Sequence, residues 1–499
     1  MILRIEGSQN RYYIQTLCMI FFPGSTFSED EMPAENVPEI FVRAVREGDK
    51  VSSFVTMKLG AKFVEARAQA EPTKDISSPD RIEKIAIGRA VFSAGKALLG
   101  YTNAWGILTG VRPAKVANEI LSAGADMNTA KRILRDEYFL NPKKAALAVS
   151  VAACENRLVR KLPSGLCSVY ISIPFCPSRC AYCSFVSASG KLLTLLDDYL
   201  LRLYTDIDET FRVIRERGLR VATVYVGGGT PTVLSTRQLG TLLKCVEKNV
   251  DVSSLLEFTV EAGRPDTITK EKLDVLARHG VTRISVNPQT LSDEVLKEIG
   301  RHHTVKDFFR AYDIAAASGI RDVNIDLIAG LPGDSFKSFS ATVDKILSLG
   351  ASNVTVHTFS VKRAANIAHA KDNVYSITGG DVAKCVEYSQ LRAKAEGYKP
   401  YYMYRQKNTV GNQENVGYAK EGRECYYNVF MMEELQSIFA VGAGGVTKLV
   451  RTDTDGKRHI ERIFAPKYPY EYLRDAEKLM QGDGDKPSFC NRVNEFFDL

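Results

Sequence analysis

From residue 168 onward, short β-branched runs recur along the chain: SVYISI, ATVYV, LEFTVE, RISVN, DVNIDLI and NVTVHTF. Stretches with helical spacing separate most of them, such as LDDYLLRLYTDIDETFRVIRERG and STRQLGTLLKCVEKNV. Runs too short for helices that alternate with amphipathic segments predict βα units and therefore a parallel sheet. Six such strands fall two short of a closed eight-unit barrel, so the pattern predicts an α/β fold built as an open or partial (β/α)6 barrel. In parallel α/β folds, ligand groups gather at the carboxyl ends of the strands.

Outside that region the pattern differs. The first part opens with strand-like apolar segments and then turns helical, as in DRIEKIAIGRAVFSAGKALL and PAKVANEILSAG. Its most apolar run, YYIQTLCMIFFPG, is too short and too polar to span a bilayer and reads as a buried strand. Pro and Gly break both periodicities at LPSGLC (162–167), which marks a boundary. After about residue 397 comes a tyrosine-rich tail of mixed α/β character, with a glycine run in VGAGGVTK where chain and ligand could approach closely. The predicted divisions are 1–163, 164–397 and 398–499, and 499 residues suit roughly three domains.

Composition narrows the class only modestly. The chain is 45% hydrophobic and 25% charged, with a formal charge of +7 and no Lys/Arg block that would argue for nucleic acid. Its start, MILRIEGSQNRYY, lacks a charged segment followed by an apolar one, so no signal peptide and a cytoplasmic location are expected. Ten cysteines then belong in a reducing compartment, where disulfides are not the default. Seven of them (Cys18, Cys154, Cys167, Cys245, Cys385, Cys425 and Cys490) are scattered and read as small buried hydrophobes.

Cys176, Cys180 and Cys183 are different: they cluster as C-x3-C-x2-C in the loop leaving the first strand of the series. Thiols at this spacing converge on a soft metal centre. Structural zinc wants four protein ligands, and Cys167 lies nine residues upstream across a predicted strand, with no His following closely. An iron–sulfur cube held by three thiols, with one iron left open, is the other reading. Spacing alone leaves both standing. The context adds VYVGGGTPT (224–232) at the end of the second strand, where glycines leave the backbone approachable. It also adds one polar side chain at each following strand end: Glu261 in FTVEAG, Gln289 in SVNPQT and Asp326 in NIDLIAGLPGD.

Together these segments resemble the radical S-adenosylmethionine (radical SAM) enzymes. More narrowly, YISIPFCPSRCAYCSF, VYVGGGTPT, NPQT and DLIAGLPGDS resemble the oxygen-independent coproporphyrinogen III oxidase family. The long N-terminal region, with GRECYYNVFMMEE and VGAGGVTK, is most similar to the HemZ branch, the coproporphyrinogen dehydrogenases. The resemblance implies that Cys176, Cys180 and Cys183 ligate a 4Fe–4S cluster. It puts Tyr170, Tyr182, Gly228, Gly229 and Thr230 beside S-adenosylmethionine. Glu261, Gln289, Arg301 and Asp326 would then bind its nucleoside and carboxylate portions. It further implies an N-terminal accessory domain, a radical SAM core and a C-terminal substrate-side domain. The implied reaction cleaves the sulfonium reductively and turns two propionates of a porphyrinogen into vinyl groups, with a low-potential donor of flavodoxin or ferredoxin type. A substrate with four carboxylates calls for cations at the barrel mouth, and Arg264, Lys362 and Arg363 are candidates.

The sequence departs from that family at two places. The established oxidases carry a fourth cysteine two residues after the third, where this chain has Phe185, and a histidine within Y-I-x-I-P, where it has Ser172. Phe185 is instead what the haem-trafficking relatives show. The resemblance therefore implies either a coproporphyrinogen decarboxylase or a haem-binding chaperone on the same scaffold.

Overall fold

The computed structural model describes residues 1–29, 36–360, 379–406, 409–454, 456–484 and 487–498. Two compact units divide the chain: Met1–Arg157 with Met403–Arg405, and Leu158–Tyr402 with Gln406–Leu499.

In the first unit, β1 (Ile2–Glu6), β2 (Glu39–Glu47), β3 (Lys50–Leu59) and β4 (Lys62–Ala70) form a sheet in that order. Strict alternation in β3 sends Val51, Ser53, Val55 and Met57 into the core, on the face covered by the helix Pro79–Leu99. The run expected as a buried strand is instead the helix Arg11–Phe21. Asn10 caps it by accepting from the Tyr13 N–H, and Ile14, Leu17, Cys18 and Phe21 bury one stripe at helical spacing. An apolar run this short satisfies either periodicity, and the cap decides between them.

The second unit holds β5 (Leu166–Ile173), β6 (Arg220–Gly228), β7 (Glu257–Glu261), β8 (Arg283–Ser285), β9 (Asp322–Ala329) and β10 (Asn353–Thr358). These are the six strands read from the sequence. They pair consecutively and all in parallel, as right-sized helical crossovers require. The tail adds β11 (Lys399–Arg405), β12 (Glu414–Ala419), β13 (Ser437–Val441), β14 (Val446–Thr452) and β15 (Arg458–Phe464) to the same sheet. The sheet order is β11-β12-β10-β9-β8-β7-β6-β5-β13-β14-β15, with β13 parallel to β5 and β12 antiparallel to β10. The (β/α)6 run is therefore open and extended at both edges.

Alternation along the parallel strands separates core from lumen. Val169, Ile171, Val224, Val226, Phe258, Val260, Ile325 and Leu327 are fully buried. Between them Tyr170, Tyr225, Glu261, Asn324, Asp326 and His357 stay half-buried on the opposite face. Register places Glu261 beside Ser285 and Ser285 beside Asn324 in one row across three strands.

Candidate functional site

The cysteine loop leaves β5 and is pinned by backbone bonds: Cys176 N–H to Ala188 O (2.9 Å), Ala188 N–H to Pro174 O (2.8 Å) and Ala181 N–H to Ile299 O (3.0 Å). No disulfide joins any of the ten cysteines. Cys180 is buried, while Cys176 and Cys183 are half-buried with thiols that burial pushes up. Thr230 Oγ1 sits 3.3 Å from Cys176 Sγ. Cys167 is fully buried within β5 rather than in the loop. Among the described residues, no three His, Cys, Asp or Glu side chains converge tightly enough for one metal ion. Structural zinc wants a closed set of four protein ligands, whereas an iron–sulfur cube can be held by three thiols of one loop. Of the seven scattered cysteines, Cys154, Cys245 and Cys490 are half-buried rather than core, and Cys425 donates its S–H to Glu257 at 3.1 Å.

The glycines after β6 serve a close approach of chain to chain. A Cβ on Gly229 would lie 2.5 Å from the Phe175 carbonyl oxygen and 2.7 Å from its nitrogen. Gly228 has φ +112°, which favours glycine, and a Cβ there would meet Ser172 Oγ at 3.0 Å. The Gly229 N–H donates to Ile173 O (2.9 Å) and the Thr230 N–H to Phe175 O (2.7 Å), so these two donors hold the cysteine loop. Ser172, standing where the oxidases carry histidine, donates to Ala443 O at 2.8 Å. A Cβ on Gly442 would meet Ser172 O at 2.8 Å, so the tail's glycine run also serves chain-to-chain packing.

Glu261 ends β7 as expected from the sequence. Asp326 lies inside β9, three residues before its end, and Gln289 stands beyond β8, bridged to Leu327 with φ +73°. Burial pushes the Glu261 carboxyl up to about 7, a rise that the Tyr225 hydrogen bond (2.6 Å) moderates and the charge of Asp326 reinforces. Burial also pushes Asp326 up, but the nearby His357 (Nε2 at 3.8 Å) and the hydrogen bond from Asn324 outweigh it and leave the carboxyl below its ordinary range. Asn287 Nδ2 and Asn324 Nδ2 reach Asp326 at 2.8 and 2.7 Å. Two neighbouring carboxyls are thereby pulled apart, one tending to neutral and one ionised.

Sequence reasoning missed the aromatic floor of this lumen. Tyr225 stacks on Tyr427 with centroids 4.4 Å apart, and Tyr170 stacks on both at 6.0 and 6.2 Å. Tyr427 comes from the helix Tyr426–Glu433, whose first N–H groups Glu257 caps. Position in the β6 alternation could have flagged Tyr225; nothing local flags Tyr427. On the other side of the loop, Arg301 is buried and donates to Tyr182 Oη (3.1 Å) and Gly263 O (3.3 Å). The nearby His303 is pulled down to about 4 by burial and by Arg301. Arg264 is not a cation facing a substrate: it is 4% exposed and paired bidentately with Asp266. Lys362 and Arg363 lie outside the described residues.

The pattern described as the Radical SAM superfamily matches residues 170–346. The oxygen-independent coproporphyrinogen-III oxidase-like protein HemZ of Bacillus subtilis is 38% identical over 79% of this chain and 80% of its own length. The chain belongs to this radical SAM family. The heme chaperone HemW of the same organism is 32% identical over 61% of this chain and 77% of that protein. Coproporphyrinogen III oxidase (HemN) from Escherichia coli, a radical SAM enzyme, shares the fold with a TM-score of 0.51 at 21% identity, covering 66% of this chain and 73% of that one.

The cofactors of the superfamily are a 4Fe–4S cluster and S-adenosylmethionine. The residues present fit both. Three thiols from one loop suit the cluster, and polar atoms around the lumen wait for partners: Arg301 Nε, Gln289 Oε1, Ser285 Oγ and Tyr427 Oη are buried with no hydrogen-bond partner. No helix among the described residues is long and apolar enough to cross a membrane.

Proposed function

We propose that the chain catalyses the radical SAM-dependent oxidative decarboxylation of coproporphyrinogen III to protoporphyrinogen IX in anaerobic haem biosynthesis. The observation carrying this reading is the gathering of three loop thiols, a neutral-tending Glu261 and an ionised Asp326 at one end of six parallel strands. The kinship with the HemZ protein supports the porphyrinogen substrate. When bound, the two cofactors supply one-electron cleavage of a sulfonium C–S bond and so hydrogen-atom abstraction from an unreactive C–H bond.

The chain's own residues supply position and electrostatics. Cys176, Cys180 and Cys183 would hold the cluster. Thr230 fixes the Cys176 side, and Gly228 and Gly229 let the β6 exit press against the loop. Tyr170 and Tyr182 wall the S-adenosylmethionine site. Glu261, its carboxyl pushed up to about 7 and so shared between protonated and ionised forms at neutral pH, can donate to or accept from ribose hydroxyls; Gln289 and Asp326 take nucleoside donors, and Arg301 takes a carboxylate. We assign residues 1–163 as an accessory domain, 164–397 as the radical SAM core and 398–499 as the substrate-side domain. A low-potential flavodoxin- or ferredoxin-type donor delivers electrons in the cytoplasm.

One observation favours a second reading. Phe185 is 67% exposed beside Cys183, offering an apolar face where the oxidases resemble one another in a thiol, and HemW relatives are named heme chaperones. Anaerobic incubation with S-adenosylmethionine, a reductant and coproporphyrinogen decides between them. Formation of 5′-deoxyadenosine with loss of carbon dioxide from the porphyrinogen supports the enzyme. Tight haem binding without deoxyadenosine supports the chaperone.

A further inference from the structure

Each of the three thiols has at least one hydrogen-bonding neighbour, and these neighbours differ in charge. Thr230 Oγ1 stands 3.3 Å from Cys176 Sγ, and the Phe185 N–H faces Cys183. At Cys180 the donor is Arg264, whose Nη1 lies 3.7 Å from Sγ. The guanidinium is locked in place. Asp266 takes Nε at 3.0 Å and Nη2 at 2.8 Å, which leaves Nη1 to point at the loop. There it also meets the Ser178 carbonyl (3.2 Å) and hydroxyl (3.0 Å). Thr267 Oγ1 donates to the Arg264 carbonyl at 2.8 Å and fixes the backbone beneath. A cation only 4% exposed is costly to desolvate; one carboxylate takes two of its nitrogens, and the third is divided between Ser178 and the Cys180 sulfur.

We propose that Arg264 is a positioning residue that sets the reduction potential of the cluster through a charge-assisted N–H···S bond to the Cys180 thiolate. This rests on the reading that the three thiols hold the cluster. Reduction adds one negative charge to an iron–sulfur centre. A cationic donor against one ligand sulfur therefore favours the reduced form and raises the potential. Asp266 opposes part of that field while holding the donor in its geometry. Three features of the site thus act together: the fork of Arg264, the counter-charge of Asp266 and the Ser178 tie that keeps Cys180 within reach.

The test is an anaerobic redox titration followed by electron paramagnetic resonance, with iron and sulfide counted per chain, on wild type, Arg264→Lys, Arg264→Gln and Asp266→Asn. At the wild-type midpoint, Arg264→Gln should show a reduced-to-oxidised ratio about tenfold lower, a shift of ~59 mV for one electron. Arg264→Lys should fall between, and Asp266→Asn, which keeps the donor and removes the opposing charge, should move the midpoint up. Unchanged midpoints in iron-loaded Arg264→Gln overturn the proposal. So does a wild-type midpoint in Arg264→Lys together with cluster loss in Arg264→Gln, which would make the arginine a loop clamp only. If Arg264→Gln fails to fold, an unchanged or lowered midpoint in Asp266→Asn overturns it instead. Wild-type protein that takes up no iron and sulfide would defeat the underlying ligand reading, a result distinct from all of these.

Discussion

Glu261→Gln isolates the energetic consequence of the lumen carboxyl. The substitution keeps the size and an oxygen to accept from Tyr225 Oη, while it removes the charge and turns the second oxygen into an N–H donor. Moving the carboxyl from its ordinary 4.5 to about 7, at about 1.4 kcal/mol per pH unit, makes the charged form cost at most about 3.5 kcal/mol in the folded chain. The direction follows from proton binding. Below 4.5 the group is neutral folded and unfolded alike and costs nothing. Between 4.5 and about 7 the unfolded chain releases the proton that the folded chain keeps, so stability falls as pH rises and levels off above about 7. Glutamine removes that loss. Denaturant unfolding of the iron-free chain under anaerobic conditions, followed by circular dichroism, should show Glu261→Gln matching wild type near pH 4 and exceeding it by about 2–3 kcal/mol at pH 8. An equal difference at both pH values would refute the reasoning.

Other substitutions probe separate features. Gly229→Ala places a Cβ against the Phe175 backbone, a clash costing about 1–3 kcal/mol that the cysteine loop must absorb; iron per chain should drop while helix content persists, and full iron loading would contradict it. Tyr427→Phe deletes a buried hydroxyl with no partner, so thermal stability should rise by the equivalent of about 1 kcal/mol while affinity for S-adenosylmethionine or porphyrinogen weakens; a fall in stability would show the hydroxyl serves the fold. Phe185→Cys should raise decarboxylation in the anaerobic assay if the missing thiol limits turnover, and an unchanged rate removes that explanation for the departure from the oxidases.

The six parallel strands were legible because each is a β-branched run bounded by an amphipathic helix, and both signals are local. Glu261 was legible for the same reason, as the last residue of its run. What escaped was whatever depended on distant chain. Residues 398–499 differ in composition from the barrel, yet β11 to β15 continue its sheet, and pairing partners leave no mark in a single strand. Arg264 sits near a strand end and reads as a mouth cation, but Asp266 two residues on and a cysteine loop 84 residues back draw it inward. Tyr427 reaches the lumen through a helix anchored on Glu257, a contact across 170 residues. The helix Arg11–Phe21 was misread on local grounds, since an apolar run outweighed a single asparagine cap.

The central claim is that three thiols in one loop hold an incompletely ligated cluster that serves to cleave S-adenosylmethionine. The direct measurement is 5′-deoxyadenosine formed per chain by the anaerobically reconstituted protein, with iron and sulfide counted, beside Cys176→Ala, Cys180→Ala and Cys183→Ala. The account predicts about four irons and four sulfides with deoxyadenosine in wild type, and loss of all three in each variant. Iron-free wild type, or deoxyadenosine formation that survives removal of the thiols, would contradict it.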